Sequence, residues 1–163
     1  MKKVIFVRHG KAEDGCSGIS DFERSLTVKG KIICRDMARR FLEKEKHPGL
    51  FITSPAFRAL ETSIIFASEF GIKPESIRID SNLYYKAGIR HLKQILNSTV
   101  EDINTITLFG HNPSFTEMPD RLCIDGCECL PKTSIVCISF IASAWQEVEI
   151  GSGRLEYFLK PLK

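Results

Sequence analysis

The sequence has no apolar run long enough to cross a membrane. Its most apolar late segment, residues 135–141, has only the length of a strand and contains Ser139. At the amino terminus, four apolar residues follow two lysines before the chain turns polar at Arg8, and this stretch is too short for a secretory signal. The sequence therefore predicts a cytoplasmic protein.

The sequence also has little net charge, and it has no internal repeats, low-complexity tracts or linkers. Its formal charge of +3 is too small to indicate a nucleic-acid partner, and nothing in its composition indicates binding to a membrane. A chain of 163 residues buries roughly two-thirds of its unfolded surface when it folds. We expect a single domain over residues 1–163.

Six cysteines are present, but their spacing does not indicate a metal site. Cys123, Cys127 and Cys129 lack the paired two-residue gaps of a zinc site, and no histidine flanks them. In a cytoplasmic protein we expect reduced thiols that act as small buried apolar groups or lie exposed in a loop. We expect no metal and no other cofactor.

The most informative stretch is at the amino terminus, where four apolar residues, 4–7, run into Arg8-His9-Gly10. The apolar run predicts a buried strand of a parallel sheet, and ligands of such sheets bind at the carboxyl ends of the strands. Gly10 is expected to let the backbone turn there without a Cβ clash. A guanidinium suits phosphate oxygens, and a neutral imidazole is a nucleophile toward phosphorus. The sequence Arg-His-Gly also occurs by chance, so its assignment to an active site depends on motifs in the rest of the chain.

The remaining chain alternates between short apolar segments and amphipathic ones, which is typical of an α/β fold. Thr27 is the predicted N-cap of the first helix. The predicted helices cover residues 28–46, 55–70 and 89–96. The predicted strands cover residues 50–53, 77–79, 103–109, 135–140, 145–150 and 154–159. We predict a three-layer α/β/α sandwich whose central sheet is mostly parallel and has antiparallel strands at one edge.

Three of the predicted strands are followed by cationic or imidazole side chains. Arg8 and His9 follow the first strand, Arg58 lies in the first turn after the second, and His111 follows Gly110 after the fourth. We expect these side chains to meet at one edge of the sheet. The long polar segment 11–26 is predicted to be a loop that closes as a lid or forms the rim of the site.

These motifs resemble the signature of the histidine phosphatase superfamily, which has the phosphoglycerate mutase-like fold. The resemblance extends over nearly the whole chain and is carried by Arg8-His9-Gly10, Ser54-Pro55, Arg58-Ala59, Glu61-Thr62 and Gly110-His111-Asn112-Pro113. Within the superfamily, the sequence resembles the short phosphohistidine phosphatase SixA group at Arg24, Leu26-Thr27, Gly30 and Ser114. It departs from that group at Ser25, where proline is usual, and at Glu61, where glutamine is common.

The resemblance implies a metal-independent phosphatase. It implies that His9 attacks phosphorus and forms a phosphohistidine, which water then hydrolyses. Arg8, Arg58 and His111 would hold the phosphoryl oxygens, with Gly10 and Arg24 also lining the pocket. The nearby guanidinium groups are expected to keep His9 neutral. A metal site built from His9, His111 and carboxylates is a poorer alternative, because the spacing lacks a helical pair of ligands.

The sequence lacks an obvious general acid. Larger relatives place an acidic residue after the third strand, where this chain has Tyr84, Tyr85 and Lys86. Without that acid, a phosphorylated imidazole is the better substrate, because the leaving histidine has a pKa of about 6.5. The carboxyl groups of Glu61, Glu13 and Asp14 remain alternative proton donors.

Only about fifty residues separate Arg58 from His111, which leaves little room for a cap over the site. A shallow site favours a phosphohistidine on a protein, such as the histidine phosphotransfer domain of a bacterial signalling relay. Two alternatives stay open: a phosphatase for small phosphomonoesters, and a non-catalytic module that recognises phosphate.

Overall fold

The computed structural model describes residues 1–84 and 86–162. Tyr85, one of the residues considered above where a general acid is missing, lies outside the described residues. These described residues form six strands: Lys2–Arg8 (β1), Leu50–Thr53 (β2), Arg78–Ile79 (β3), Thr105–Gly110 (β4), Ile135–Phe140 (β5) and Arg154–Leu159 (β6). The same residues form four α-helices: Val28–Lys44 (α1), Phe57–Phe70 (α2), Ile89–Asn97 (α3) and Ser114–Leu122 (α4).

All six strands belong to one sheet in the order β3-β2-β4-β1-β5-β6. The strands β3, β2, β4 and β1 are parallel to one another, whereas β5 runs antiparallel to β1 and β6 runs antiparallel to β5. The prediction of a mostly parallel sheet with an antiparallel edge is therefore confirmed.

Side chains alternate along β1 and fill two apolar cores, one on each face of the sheet. Val4 and Phe6 pack with residues of α3 and α4, and the rings of Phe6 and Phe115 meet edge to face with centroids 5.4 Å apart. Ile5 and Val7 pack on the opposite face with residues of α1 and α2. The predicted three layers follow from this alternation.

Local signals explain where the first two helices begin. The side chain of Thr27 accepts a hydrogen bond from the Gly30 amide at 2.8 Å, as expected for the N-cap of α1. The helix α2 was predicted to begin at Pro55 but begins at Phe57. Ala56 is its extended N-cap residue, so Ser54 and Pro55 form the turn that leaves β2.

The strand predicted over residues 145–150 is wrong. Residues Trp145–Glu147 form a single 3-10 turn, which is closed by a hydrogen bond of 3.2 Å from the Val148 amide to the Trp145 carbonyl. The Ser143 amide caps the turn by donating to the Glu147 carboxylate at 2.7 Å. The Trp145 side chain is buried, and its indole donates to the Ile103 carbonyl at 3.0 Å. The apolar pattern therefore reflects a side chain inserted into the core rather than a paired strand.

The three cysteines near residue 125 do not share one environment. Cys123 is buried, Cys127 is half-buried and Cys129 is exposed. Among residues 1–84 and 86–162, no cluster of three or more His, Cys, Asp or Glu side chains is arranged to hold a metal ion. Within the same residues, every helix is too short or too polar to span a membrane.

Candidate active site

The register of the sheet brings the predicted site residues together. Arg8 pairs with Gly110 across β1 and β4, and Thr53 pairs with Phe109 across β2 and β4. The residues that follow stay aligned, because the His9 amide donates to the Gly110 carbonyl at 3.0 Å and the Ser54 amide donates to the Phe109 carbonyl at 2.9 Å. The carboxyl ends of the three neighbouring strands β2, β4 and β1 therefore lie side by side.

His9 is oriented by its own backbone. Its Nδ1 atom lies 2.7 Å from the Gly10 carbonyl, which can only accept, so Nδ1 carries the hydrogen and Nε2 keeps its lone pair. The side chain is buried, and burial, together with the smaller effect of the Arg58 and Arg8 charges, lowers the pKa of His9 to about 4. The expectation of a neutral imidazole is met, but burial outweighs the guanidinium groups that were expected to cause it.

Gly10 is required by close packing rather than by its backbone conformation. It lies outside the left-handed region, but a Cβ atom at this position would lie 2.5 Å from Sγ of Cys34 in α1. Its amide donates to Oγ1 of Thr62 at 3.1 Å, and that hydroxyl donates to the Arg58 carbonyl at 2.6 Å. Thr62 thus links the end of β1 to the first turns of α2.

His111 lies next to His9, with ring centroids 5.0 Å apart. Its Nε2 atom is 2.8 Å from Oγ of Ser54, which also accepts from the Ala56 amide. A hydrogen bond from the Ser54 hydroxyl to Nε2 would place the ring hydrogen on Nδ1. That Nδ1 atom is buried without a hydrogen-bond partner among the described residues, so it is available to a bound oxyanion.

The two arginines differ in how they are held. The Nη1 atom of Arg8 donates to the Leu130 carbonyl at 2.8 Å, and its buried Nε has no partner among the described residues. Arg58 is buried and lies against the loop 11–26: Nη1 donates to the Asp21 carbonyl at 2.6 Å, and Nη2 contacts the Asp21 carboxylate at 3.0 Å. Arg58 thus already holds an anionic group.

Asp21 contacts the site, and sequence reasoning did not predict this contact. Its carboxylate accepts from Arg24 at 3.0 Å and from the Tyr84 hydroxyl at 3.2 Å, in addition to its contact with Arg58. Partial burial opposes ionisation, but the hydrogen bonds from Arg24 and Arg58 outweigh it and lower the pKa of Asp21. The carboxylate is therefore charged at neutral pH.

Arg24 was predicted to line the phosphate pocket, but its hydrogen bonds go elsewhere. Its Nε donates to the Glu13 carbonyl at 2.7 Å, and its Nη1 donates to Asp21. Among the described residues, Arg24 is linked to Arg58 through Asp21. That Arg24 lines the phosphate pocket stays a prediction.

The three alternative proton donors are also engaged elsewhere or exposed. Glu61 accepts from the Leu26 amide at 2.6 Å, and the side chains of Glu13 and Asp14 are exposed. Within residues 1–84 and 86–162, none of these three carboxylates contacts His9, Arg8, Arg58 or His111.

A cluster of three aromatic side chains lies along one side of the site. The Tyr84 ring meets His111 edge to face at 5.8 Å, and Phe22 meets Tyr84 at 5.3 Å and Phe57 at 5.9 Å. Ser54 and Tyr84 were noted in the sequence without a role, and only the structure assigns them contacts. No sequence signal distinguished Asp21 from the other polar residues of its loop.

The loop 11–26 is fixed at its base. Ala12 and Leu26 form an isolated antiparallel bridge, and the Glu13 amide donates to the Ser25 carbonyl at 2.8 Å. Through Asp21 the loop reaches Arg58 and forms a wall of the site. Closure of this loop over a substrate stays a prediction.

The buried histidines predict an acid-sensitive fold. Burial lowers the pKa of His111 to about 3 and that of His9 to about 4, whereas an unfolded chain protonates histidine near pH 6.5. Between these values the unfolded state binds more protons, so stability is full above about pH 6.5 and decreases as the pH falls. We expect the free energy of unfolding in urea to drop by about 3 kcal/mol for His9 alone once the pH reaches 4.

The matched variant for this measurement is His9→Asn, which keeps a donor for the Gly10 carbonyl but does not titrate. It should lose less stability than the wild type over the same pH interval. Equal losses in both proteins would contradict the assignment of this loss to His9.

Comparison with known proteins first defines the class of fold. No protein-family model matches the sequence. An uncharacterized protein from Picosynechococcus is 35% identical over 74 residues, a match that covers 45% of this chain and 45% of that protein. A mycobacterial glucosyl-3-phosphoglycerate phosphatase superposes with a TM-score of 0.66 at 13% identity, covering 95% of this chain and 97% of that one. The chain has a phosphoglycerate mutase-like fold.

Two further structures define the fold more narrowly. A protein from Agrobacterium tumefaciens assigned as the phosphohistidine phosphatase SixA has a TM-score of 0.80 at 21% identity over 98% of both chains. The protein histidine phosphatase SixA complexed with tungstate has a TM-score of 0.80 at 21% identity, over 98% of this chain and 97% of that one. The chain therefore shares the fold of the SixA phosphohistidine phosphatases, as its motifs predicted.

Proposed function

We propose that the chain is a phosphatase of the histidine phosphatase superfamily that works through a phosphohistidine on His9. The observation that carries this proposal is the neutral His9 imidazole, whose Nδ1 donates to the Gly10 carbonyl and whose Nε2 keeps its lone pair. It lies beside the His111 ring, whose buried Nδ1 has no partner among the described residues, and near the charges of Arg58 and Arg8. These groups supply a nucleophile and cationic or N–H donors around one phosphoryl group.

The reaction has two displacements. His9 Nε2 attacks phosphorus, the bond to the leaving group breaks, and Nδ1 keeps its hydrogen on the Gly10 carbonyl. Water then attacks the phosphohistidine, which releases inorganic phosphate and returns the lone pair to Nε2. Arg8, Arg58 and His111 balance the charge on the phosphoryl oxygens in both steps.

The surroundings of the site favour a nitrogen-linked phosphate over an ester. Asp21 is the carboxylate that contacts the site through Arg58, and its lowered pKa makes it a poor proton donor at neutral pH. An alkoxide leaves poorly without a proton, whereas a leaving imidazole has a pKa of about 6.5. We infer that the substrate is a phosphohistidine on a protein, with a histidine phosphotransfer domain of a signalling relay as the partner.

This substrate is tested by parallel rates. We expect the kcat/KM for a phosphorylated histidine phosphotransfer domain to be at least about 100-fold above that for any member of a panel of small phosphomonoesters. This ratio corresponds to a difference of about 3 kcal/mol in activation free energy. The control is the same domain with its phosphorylated histidine changed to alanine. A preference for the esters would reject the protein substrate and favour a small-molecule phosphatase.

A non-catalytic module that only recognises phosphate is the alternative of another class. It predicts saturable phosphate binding without any label on the protein. Acid-labile radioactive phosphate trapped on His9 after mixing with labelled substrate would exclude it.

A further inference from the structure

A groove lined by lysines extends away from the site along the same edge of the sheet. Its volume is about 480 Å³, and its walls come from α1, from the segment before β5 and from the segment after β6. We call it the lysine groove and define it by Lys11, Lys132, Lys160, Ile33, Pro161 and Leu162. These residues are distinct from His9, His111, Arg8 and Arg58, although Lys11 begins the loop 11–26 and the charge of Lys132 acts on His9.

The strand directions place the lysine groove beside His9. Lys11 follows the end of β1, Lys132 precedes β5 and Lys160 follows β6. Because β5 is antiparallel to β1 and β6 is antiparallel to β5, all three lysines lie at the edge where β1 ends. Thr133, which also lines the groove, donates its amide to the carbonyls of Arg8 and His9 at 3.1 and 3.2 Å.

The chemistry of the groove combines unpaired positive charge with apolar surface. The ammonium groups of Lys11 and Lys132 are exposed and form no ion pair with the described residues, whereas Lys160 pairs with Glu128. Ile33 and Leu162 line the same groove, and Leu162 is 85% exposed.

Inorganic phosphate or a small sugar phosphate is polar and would gain no binding energy from an apolar surface of this kind. Two free ammonium groups are also too few to indicate a nucleic-acid ligand, because a nucleic-acid backbone carries one negative charge at every phosphate. A protein segment with acidic side chains on either side of an apolar one matches both features.

We propose that the lysine groove binds an acidic, partly apolar segment of a protein substrate, next to the phosphorylated side chain that enters the site. This inference rests on the proposed function and specifies how a protein substrate is preferred over a small one. Lys11 and Lys132 contact the acidic side chains, and Leu162 packs against the apolar one.

The test compares three substrates. The first is a phosphohistidine peptide with glutamates around a leucine, the second replaces the glutamates with glutamine, and the third is free phosphohistidine. We expect Lys11→Glu to raise KM for the acidic peptide about fivefold, with little change for the other two, because one surface charge contact is lost and one repulsion is added. Leu162→Ser should raise KM for both peptides but not for free phosphohistidine.

The control is Lys73→Glu, which changes an exposed lysine between α2 and β3, at the opposite edge of the sheet. It should leave all three KM values unchanged. Equal effects of Lys11→Glu on both peptides, or no effect on the acidic one, would overturn the proposal.

Binding of the unphosphorylated acidic peptide, followed by fluorescence anisotropy, separates this proposal from the proposed function. If Lys11→Glu weakens binding of this peptide but the protein hydrolyses none of the substrates, the lysine groove is supported as a binding site and the proposed phosphatase activity is rejected. Hydrolysis of free phosphohistidine with no preference for the acidic peptide would reject the groove alone.

Discussion

Replacing His9 with alanine should lower kcat by at least about 10³-fold, because the variant has no group to accept the phosphoryl from the substrate. His9→Asn should be equally inactive, although its side-chain amide can still donate to the Gly10 carbonyl that holds Nδ1 in the wild type. Steady-state rates on a phosphohistidine substrate measure both variants. Acid-labile label should appear on the wild-type protein and be absent from both.

The control for this experiment is His47→Ala, which removes an exposed histidine from the segment before β2. It should keep full activity. Activity close to that of the wild type in His9→Asn would show that the nucleophile is another group and would reject the mechanism.

Replacing Arg58 with alanine should lower kcat/KM by about 100-fold, because a buried guanidinium no longer balances the charge on the phosphoryl oxygens. The substitution should also weaken inhibition by tungstate, an analogue of phosphate. Arg58→Lys should recover only part of the activity, since an ammonium cannot offer two parallel donors.

Asp21→Asn is the matched variant, because it keeps Arg58 and removes the carboxylate that lies 3.0 Å from it. We expect this variant to bind tungstate about threefold more tightly, which corresponds to the energy of one partly exposed ion pair. Weaker binding would mean that Asp21 positions Arg58 rather than competing for it. An unchanged kcat/KM in Arg58→Ala would remove Arg58 from the site.

The sequence predicted the parts of the site that follow regular structure. His9 and His111 come directly after apolar strands, and Arg58 lies in the first turn of a helix after another strand. The edge at which parallel strands end is fixed by the topology, so these residues had to meet. The alternating burial along β1 fixed the two cores in the same way.

The parts that the sequence did not predict depend on contacts between distant segments. Asp21 lies in a loop without periodicity, and its role arises from contacts with Arg58 and Tyr84. The contacts of Arg24 with Asp21 and with the Glu13 carbonyl likewise depend on the conformation of the loop, which the motif does not specify. The segment at Trp145 has a strand-like composition because its aromatic ring is buried, which periodicity alone cannot distinguish from pairing.

The pairing of Asp21 with Arg58 has a consequence for product inhibition. In the proposed reaction, inorganic phosphate is the product of every turnover. A guanidinium without a competing carboxylate would hold this product more tightly. Because the Asp21 carboxylate is available to replace phosphate on Arg58, we expect the free product to inhibit the enzyme weakly.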